Sequence, residues 1–398
     1  MTVGIRPSPA PGPTYDPFDP RVHESYPGDL YAWLRSERPV YRNDERDFWA
    51  LSRFDDVQAA LRDWKTFSTA GPRGVHIDSR PAIYGAGDFL ELDPPRHTEL
   101  RNLVRQPFSL RAVAELEPDV RRRTTALLAP VLAAGGGDLA AEVCWPLAFE
   151  LTAEMLGIPR EDLERVDELV RRFSAVVPGS PDLPSDATAA GDAAYEYVVE
   201  LLSRDRGRLR GIVRDIADAR SRGEVSEAEA PGIPMLFFGA AIETPATACA
   251  NLLRLLAQHP DQRRLLLDGD VELPVAIEEL FRYESPLQCL ARTTTEPVTL
   301  HGAELPEGAT VLLAYGAANR DERRWPGADE LQLTRERKRN VAFGEGIHHC
   351  IGAPLARLQA RVVVELVTAA APEYEVCGPV AYLHRYSDWG VLRLPVSW

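Results

Sequence analysis

The chain has almost no lysine. Of its 45 basic residues only Lys65 and Lys338 are lysines and the rest are arginines, a bias that suggests a GC-rich, bacterial coding sequence. Positive charge as a whole is short: 60 acidic residues leave a formal net charge of −15. Such a surface repels phosphate backbones and argues against nucleic acid as a partner. Cysteine is scarce and unpatterned. Cys144, Cys249, Cys289, Cys350 and Cys377 are odd in number and show no Cys-x-x-Cys spacing. That rules against a disulfide framework or a zinc ribbon and fits a reducing compartment. No apolar run opens the chain, since residues 1–20 are rich in proline. Neither a signal peptide nor a membrane anchor is expected there, and the expected location is the cytoplasm. Internal repeats and low-complexity tracts are lacking too. What is present is the composition of a globular protein, 45% hydrophobic and 26% charged over 398 residues, enough to bury a large core.

One stretch near the end organises the rest: Asn340-Val341-Ala342-Phe343-Gly344-Glu345-Gly346-Ile347-His348-His349-Cys350-Ile351-Gly352-Ala353-Pro354. Its glycines let the backbone turn tightly and approach a flat object. After the cysteine a helical pattern opens, with Leu355, Leu358, Val362, Val363 and Leu366 at 3.6-residue spacing. A thiolate at a helix N-terminus is stabilised by free backbone N–H groups and the helix dipole, which makes a sulfur ligand for a soft metal. Most lone cysteines are instead buried and inert. Here the pattern Phe-Gly-x-Gly-x-His-x-Cys-x-Gly, carried by Phe343, Gly344, Gly346, His348, Cys350 and Gly352, resembles the haem-ligand loop of the cytochrome P450 family.

Further motifs of that family follow in order. Residues 1–25 read as an extended, proline-rich lead-in, 52–64 as a short helix, and 68–92 as a long, functional loop. Asp93-Pro94-Pro95 starts a helix, with Asp93 as N-cap. It carries His97 and Arg101 on one face; the resemblance makes both ligands of a haem propionate, which suits arginine's fork. Helices are expected over 111–134, 142–156, 160–175 and 187–222. The break at 177–184 is, by resemblance, the mobile cover of a substrate site. The most apolar helix spans 226–259, with irregular backbone before Pro234. Within it Ala240-Ala241-Ile242-Glu243-Thr244-Pro245 resembles the oxygen-activation motif, with Glu243 and Thr244 as the proton-delivering acid and alcohol. Ala241 stands where the family has glycine. Pro245 has no N–H, so the Ala241 carbonyl loses its helical donor and the helix is expected to open there, the carbonyl holding Thr244 Oγ or a water.

Glu279-Leu280-Phe281-Arg282 matches the family's Glu-x-x-Arg, completed by Arg335; its implied role is support of the cysteine loop. Arg292 resembles a third propionate ligand, and His348 a fourth. Phe237, Ala240, Ala241, Leu287, Leu290 and Trp389 are candidate pocket residues. Segments 298–300 and 310–313 read as a strand pair, and 373–376 and 391–396 as further strands. Arg335, Arg337, Lys338 and Arg339 form a basic cluster beside the cysteine loop, suited to an acidic electron donor. Arg73, Arg80 or Arg172 are candidates to pair with a substrate carboxylate.

The expected fold is mainly α with small β-sheets, one cytochrome P450-type domain over 1–398. The resemblance implies a monomeric haem-dependent monooxygenase with haem b, Cys350 as its metal ligand, and Phe343, Gly344, His348 and Gly352 around it. Dioxygen and a small to medium apolar substrate are its implied partners. Electrons are expected from a separate ferredoxin or flavodoxin, and ultimately NAD(P)H. Oxidative coupling, desaturation or peroxide-driven chemistry at the same centre is the alternative. A non-catalytic haem sensor is a third reading, disfavoured by the Glu243-Thr244 pair.

Overall fold

Apolar residues at helical spacing form helices that build the core in the computed structural model, which describes residues 13–77 and 86–398. Arg80, residues 1–12 of the lead-in and 78–85 of the long loop lie outside the described residues. The largest buried cluster is helical. It joins Glu117–Ala134, Trp145–Leu156, Ser185–Ser203, Gly211–Ser221, Glu243–Gln258 and Ala353–Ala370 around residues such as Leu128, Leu147, Leu201, Ile216, Leu252 and Val363.

A five-stranded sheet sits beside this core, in the order Val40–Asn43, Phe48–Leu51, Thr310–Ala314, Cys289–Thr294, Phe67–Ser68. Its second and third strands pair in parallel, and its other pairs are antiparallel. Successive side chains of a strand point to opposite faces. Leu51, Leu290, Val311 and Leu313 thus enter one small cluster, and Ala50, Cys289, Ala291 and Leu312 another. Its central strands are buried on both faces, which explains the apolar runs at 48–51 and 311–314.

Several expected elements are redrawn. The strand at 298–300 pairs with Ala303–Leu305, not with 310–313, because His301 and Gly302 both take positive φ and close a tight hairpin. The helix expected over 187–222 is two, Ser185–Ser203 and Gly211–Ser221. Gly211 sits at φ +55 where a Cβ would lie 2.3 Å from the Met155 carbonyl oxygen, so the chain must turn there. The 111–134 helix likewise splits into Leu110–Glu115 and Glu117–Ala134, ahead of Pro118. Asp93 does not cap the helix Arg96–Val104; its carboxylate accepts from Ser68 Oγ and the Thr69 N–H instead. Gly232–Gln258 has the length and apolarity to cross a bilayer, but 72% of its most apolar window is buried inside the protein. It is a core element.

Candidate active site

The cysteine loop is turned by two glycines that no other residue could replace cheaply. Gly344 and Gly346 have φ +64 and +69. A Cβ on Gly346 would also stand 2.4 Å from the Leu61 carbonyl oxygen, so the loop lies directly on the helix Phe54–Arg62. The loop closes through Cys350 N–H to Phe343 O at 2.9 Å. Cys350 sits just before the helix Ala353–Ala370 and is exposed, although the fold surrounds it on most sides. Burial pushes its thiol up, while the N–H groups of Gly352 and Ala353 and the charges of Arg101 and Arg357 pull it down.

Around it the loop is fastened on every side. Phe343 meets Phe281 edge-on at 4.9 Å, and the Arg357 guanidinium covers its ring at 4.2 Å. The Val341 N–H donates to Asn319 Oδ1 at 2.8 Å. Asn340 turns its amide to the Glu278 carbonyl oxygen, 3.3 Å away. Below lies a buried ionic knot. Arg282 Nε and Nη2 donate to Glu279 at 2.7 and 2.8 Å, and Arg335 Nε adds a bond of 2.9 Å. Arg282 Nη1 reaches the carbonyls of Asn319 and Ala328, and Arg335 those of Pro326 and Gly327. Buried ions need hydrogen bonds beyond their charge partner, and every guanidinium nitrogen of Arg282 and Arg335 has at least one acceptor. Arg335 is thereby consumed, its side chain only 9% exposed. It is lost to the expected basic cluster, of which Arg337, Lys338 and Arg339 remain exposed.

Four expected residues from three distant segments converge. The rings of His97 and His348 lie 4.5 Å apart, and Arg101 Nη2 donates to the His349 carbonyl oxygen. Arg292, on the strand Cys289–Thr294, adds its charge to the same group. Burial first, then the charges of Arg292, His97 and Arg101, drives His348 down to about 2. Burial and Arg101 bring His97 down to about 4. Among the described residues neither arginine has a carboxylate partner, and the buried His97 Nε2 has no hydrogen bond at all. His348 Nε2 lies 3.1 Å from Thr69 Oγ1. Such a cluster of cations and donors is incomplete without an anion.

The distal helix is interrupted. Gly232–Ala240 ends, Ala241 leaves helical geometry at φ −103 and ψ 0, and after Ile242 the helix Glu243–Gln258 begins, with Pro245 in its first turn. The released Ala241 carbonyl accepts from Thr152 Oγ1, at 2.7 Å, and not from the expected Thr244 hydroxyl. Ala240 is exposed and Ala241 and Thr244 half-buried, a bare stretch in an otherwise buried element. Glu243 points the other way. It forms an ion pair with Arg385, whose Nη2 also donates to the Ser174 carbonyl oxygen at 2.8 Å. Burial pushes the Glu243 carboxyl up, and Arg385 pulls it back. A cavity of about 460 Å³, lined by Trp145, Val176, Glu243, Thr247, Tyr382 and others, opens beside it.

The chain is similar along nearly its full length to proteins of one family. A putative cytochrome P450 123 of Mycobacterium bovis is 34% identical over 389 residues, covering 96% of each chain. The chain belongs to the cytochrome P450 family. The family's sequence profile, Cytochrome P450, matches residues 273–368. The vitamin D(3) 25-hydroxylase of Pseudonocardia autotrophica is 34% identical over 387 residues, 93% of each chain. The solved structure of CYP109E1 from Bacillus megaterium, in complex with testosterone, superposes with a TM-score of 0.86 at 26% identity, covering 94% of this chain and 97% of that one. The protein is thus an oxidoreductase of the cytochrome P450 monooxygenase type, and its family carries a haem-thiolate cofactor. The donor set suits that group: one accessible sulfur on a glycine-turned loop, and beside it cations and a bare imidazole nitrogen awaiting carboxylates.

Other expected pocket residues are placed differently. Trp389 lies 2% exposed in the core, its indole N–H donating to Glu284 Oε2 at 3.0 Å and its ring stacked on Tyr382. A buried indole needs an acceptor, and the Glu284–Arg254 ion pair supplies it away from the cysteine loop. Phe237 is spent on stacking against Phe108 at 5.4 Å. Leu290 is in the sheet core, and Leu287 is half-buried, paired by its backbone with Asp388. Arg172 is tied to Asp186, while Arg73 borders a surface groove with Arg42 and Asp47. Arg385 and Thr152 were missed by sequence reasoning. Neither lies in a motif, and only the fold brings them to residues 241–243.

Proposed function

We propose that this cytochrome P450 oxygenates a small to medium apolar substrate, with Cys350 as the proximal haem ligand and His97, Arg101, Arg292 and His348 around the propionates. The observation that carries this reading is the exposed Cys350 beside Arg101 and Arg292, neither with a carboxylate partner among the described residues, and the unbonded Nε2 of His97. Haem, when bound, supplies the activation of dioxygen and the insertion of one of its atoms into a substrate C–H bond. The chain's residues do the rest.

Phe343, Gly344 and Gly352 shape the loop so that the sulfur is presented and its negative charge met by backbone N–H groups. Arg101 and Arg292 orient the cofactor through its carboxylates, for which a guanidinium fork is well matched. Glu243 is a carboxyl raised by burial beside a cavity that admits water, and this suits it to take up a proton and pass it on. Arg385 holds that carboxyl on the solvent side. Thr244, half-buried on the bare stretch of the helix, is the hydroxyl that receives the proton. Ala240 and Ala241 leave room there for the substrate. The vitamin D(3) hydroxylase among the relatives, and testosterone bound to a structural neighbour, support a fused-ring apolar substrate of that size. Electrons come from a separate acidic ferredoxin or flavodoxin, fed by NAD(P)H, docked on Arg337, Lys338 and Arg339.

The test is the reduced carbon-monoxide difference spectrum of the haem-loaded protein. A red-shifted thiolate band, lost in Cys350→Ala, is the expected result; its absence from the wild-type protein overturns the reading. The capture of the Ala241 carbonyl by Thr152 favours keeping a second reaction in view, peroxide-driven or coupling chemistry at the same centre. Turnover with peroxide and none with a reductase system would select it.

A further inference from the structure

Glu345 is the sole acid of the cysteine loop, and its side chain is only 5% exposed. Both carboxylate oxygens are engaged. Oε1 accepts from Arg62 Nε and Nη2 at 2.9 and 2.6 Å and lies 3.1 Å from Arg339 Nη1. Oε2 accepts from Gln58 Nε2 at 2.8 Å. Gln58 and Arg62 belong to the helix Phe54–Arg62, on whose last turn Gly346 is already pressed. The two guanidiniums differ from the acid in one respect: they are 54% and 62% exposed. A buried charge is therefore balanced by cations whose outer sides face solvent.

We propose that Glu345 is a positioning residue: it clamps the cysteine loop to the 54–62 helix and, through Arg339, makes the loop respond to an acidic protein docked on the basic segment. The inference rests on the ligand role of Cys350 and on donor docking at residues 337–339. A donor carboxylate that engages Arg339 competes with Glu345 for one guanidinium. Glu345 is then left with Arg62 and Gln58, and a buried charge with less compensation weakens the seat it holds. The net charge near the sulfur also changes, which shifts a haem-thiolate potential.

The test uses hydrogen exchange of the loop amides 344–349 and the ferric–ferrous midpoint potential of the haem-loaded protein. Glu345→Gln, which keeps the shape and loses the charge, is expected to speed loop exchange about tenfold and to raise the potential. Arg339→Gln should speed exchange less and lower the potential, and Arg337→Gln should do neither. Poly-L-glutamate, as an acidic probe, should move the wild type as Arg339→Gln does and leave Arg339→Gln itself unmoved. Unchanged exchange and potential in Glu345→Gln, or an equal response of Arg337→Gln and Arg339→Gln, overturns the proposal. If Glu345→Gln does not fold, Gln58→Ala removes one neutral contact and should show the same exchange signature at smaller size; wild-type exchange there counts against the clamp. Exchange is read on the cofactor-free chain as well. A missing red-shifted band with intact loop protection therefore faults the ligand reading and not the clamp.

Discussion

The cysteine loop and the interrupted helix at 232–258 are built on opposite plans. The loop is fixed from several directions: glycines with positive φ, a backbone bond from Cys350 to Phe343, the Glu279–Arg282–Arg335 knot beneath, and Glu345 on the 54–62 helix. The distal helix is broken at residues 241–242 and mended by single contacts, one hydroxyl from Thr152 and one guanidinium from Arg385. Under the proposed function the Cys350 sulfur must stay put, so redundancy serves it, and Glu243 must be able to change partner, which a single ion pair allows.

The contrast can be broken hardest at the knot. Glu279→Ala leaves Arg282 and Arg335 buried with no carboxylate, and should cost ~3–5 kcal/mol, seen as a large fall in denaturation midpoint with loss of cofactor. Survival of both would mean that the loop does not depend on the knot. On the distal side Glu243→Gln should spare the fold and lower the rate by about 10²-fold, the usual scale of general acid catalysis. Steady-state kinetics with peroxide leakage measured in parallel would check this, and an unchanged rate removes Glu243 from proton delivery. Asp88 sharpens the comparison at a smaller scale. Burial and the nearby Glu91 push its carboxyl up to about 7, and among the described residues its Oδ2 has no hydrogen-bond partner. A folded pKa above the unfolded value gives stability that is complete below pH ~4 and lost as pH rises through ~7. Asp88→Asn keeps the acceptor for the Leu90 N–H and should raise stability at pH 8 by a few kcal/mol, with little change at pH 4. Equal melting curves at pH 8 would show that the burial costs nothing.

The cysteine loop could be read from the sequence because its constraints are local. Positive φ demands glycine, and a thiolate demands N–H groups just ahead of a helix, so the residues needed lie within a few positions of Cys350. His97, Arg101 and His348 were singled out by short motifs and Arg292 by its position alone, and the structure brings the four together. The distal side was only half legible. Pro245 announced a break, and the break is there, but the acceptor's partner lies 89 residues away in Thr152. Arg385 is 142 residues from Glu243. No local pattern marks either one, because the contact is made by packing and not by spacing. Trp389 misled for the same reason: an aromatic in a turn looks free until Glu284, 105 residues distant, claims its N–H. Strand pairing at 298–314 failed on a hairpin made by His301 and Gly302, since positive φ is uncommon outside glycine and only Gly302 advertised it.

The scarcity of lysine makes the molecule its own footprinting reagent. Apart from the chain's α-amine, amine-directed reagents can label two side chains. Lys65 lies near Trp64, its Nζ 5.9 Å from the ring centre. Lys338 is exposed in the basic segment, its Nζ 3.3 Å from the Arg324 carbonyl oxygen. Labelling of Lys338 relative to Lys65 therefore reports occupancy of that segment as a single ratio by mass spectrometry, with the internal control built into the chain.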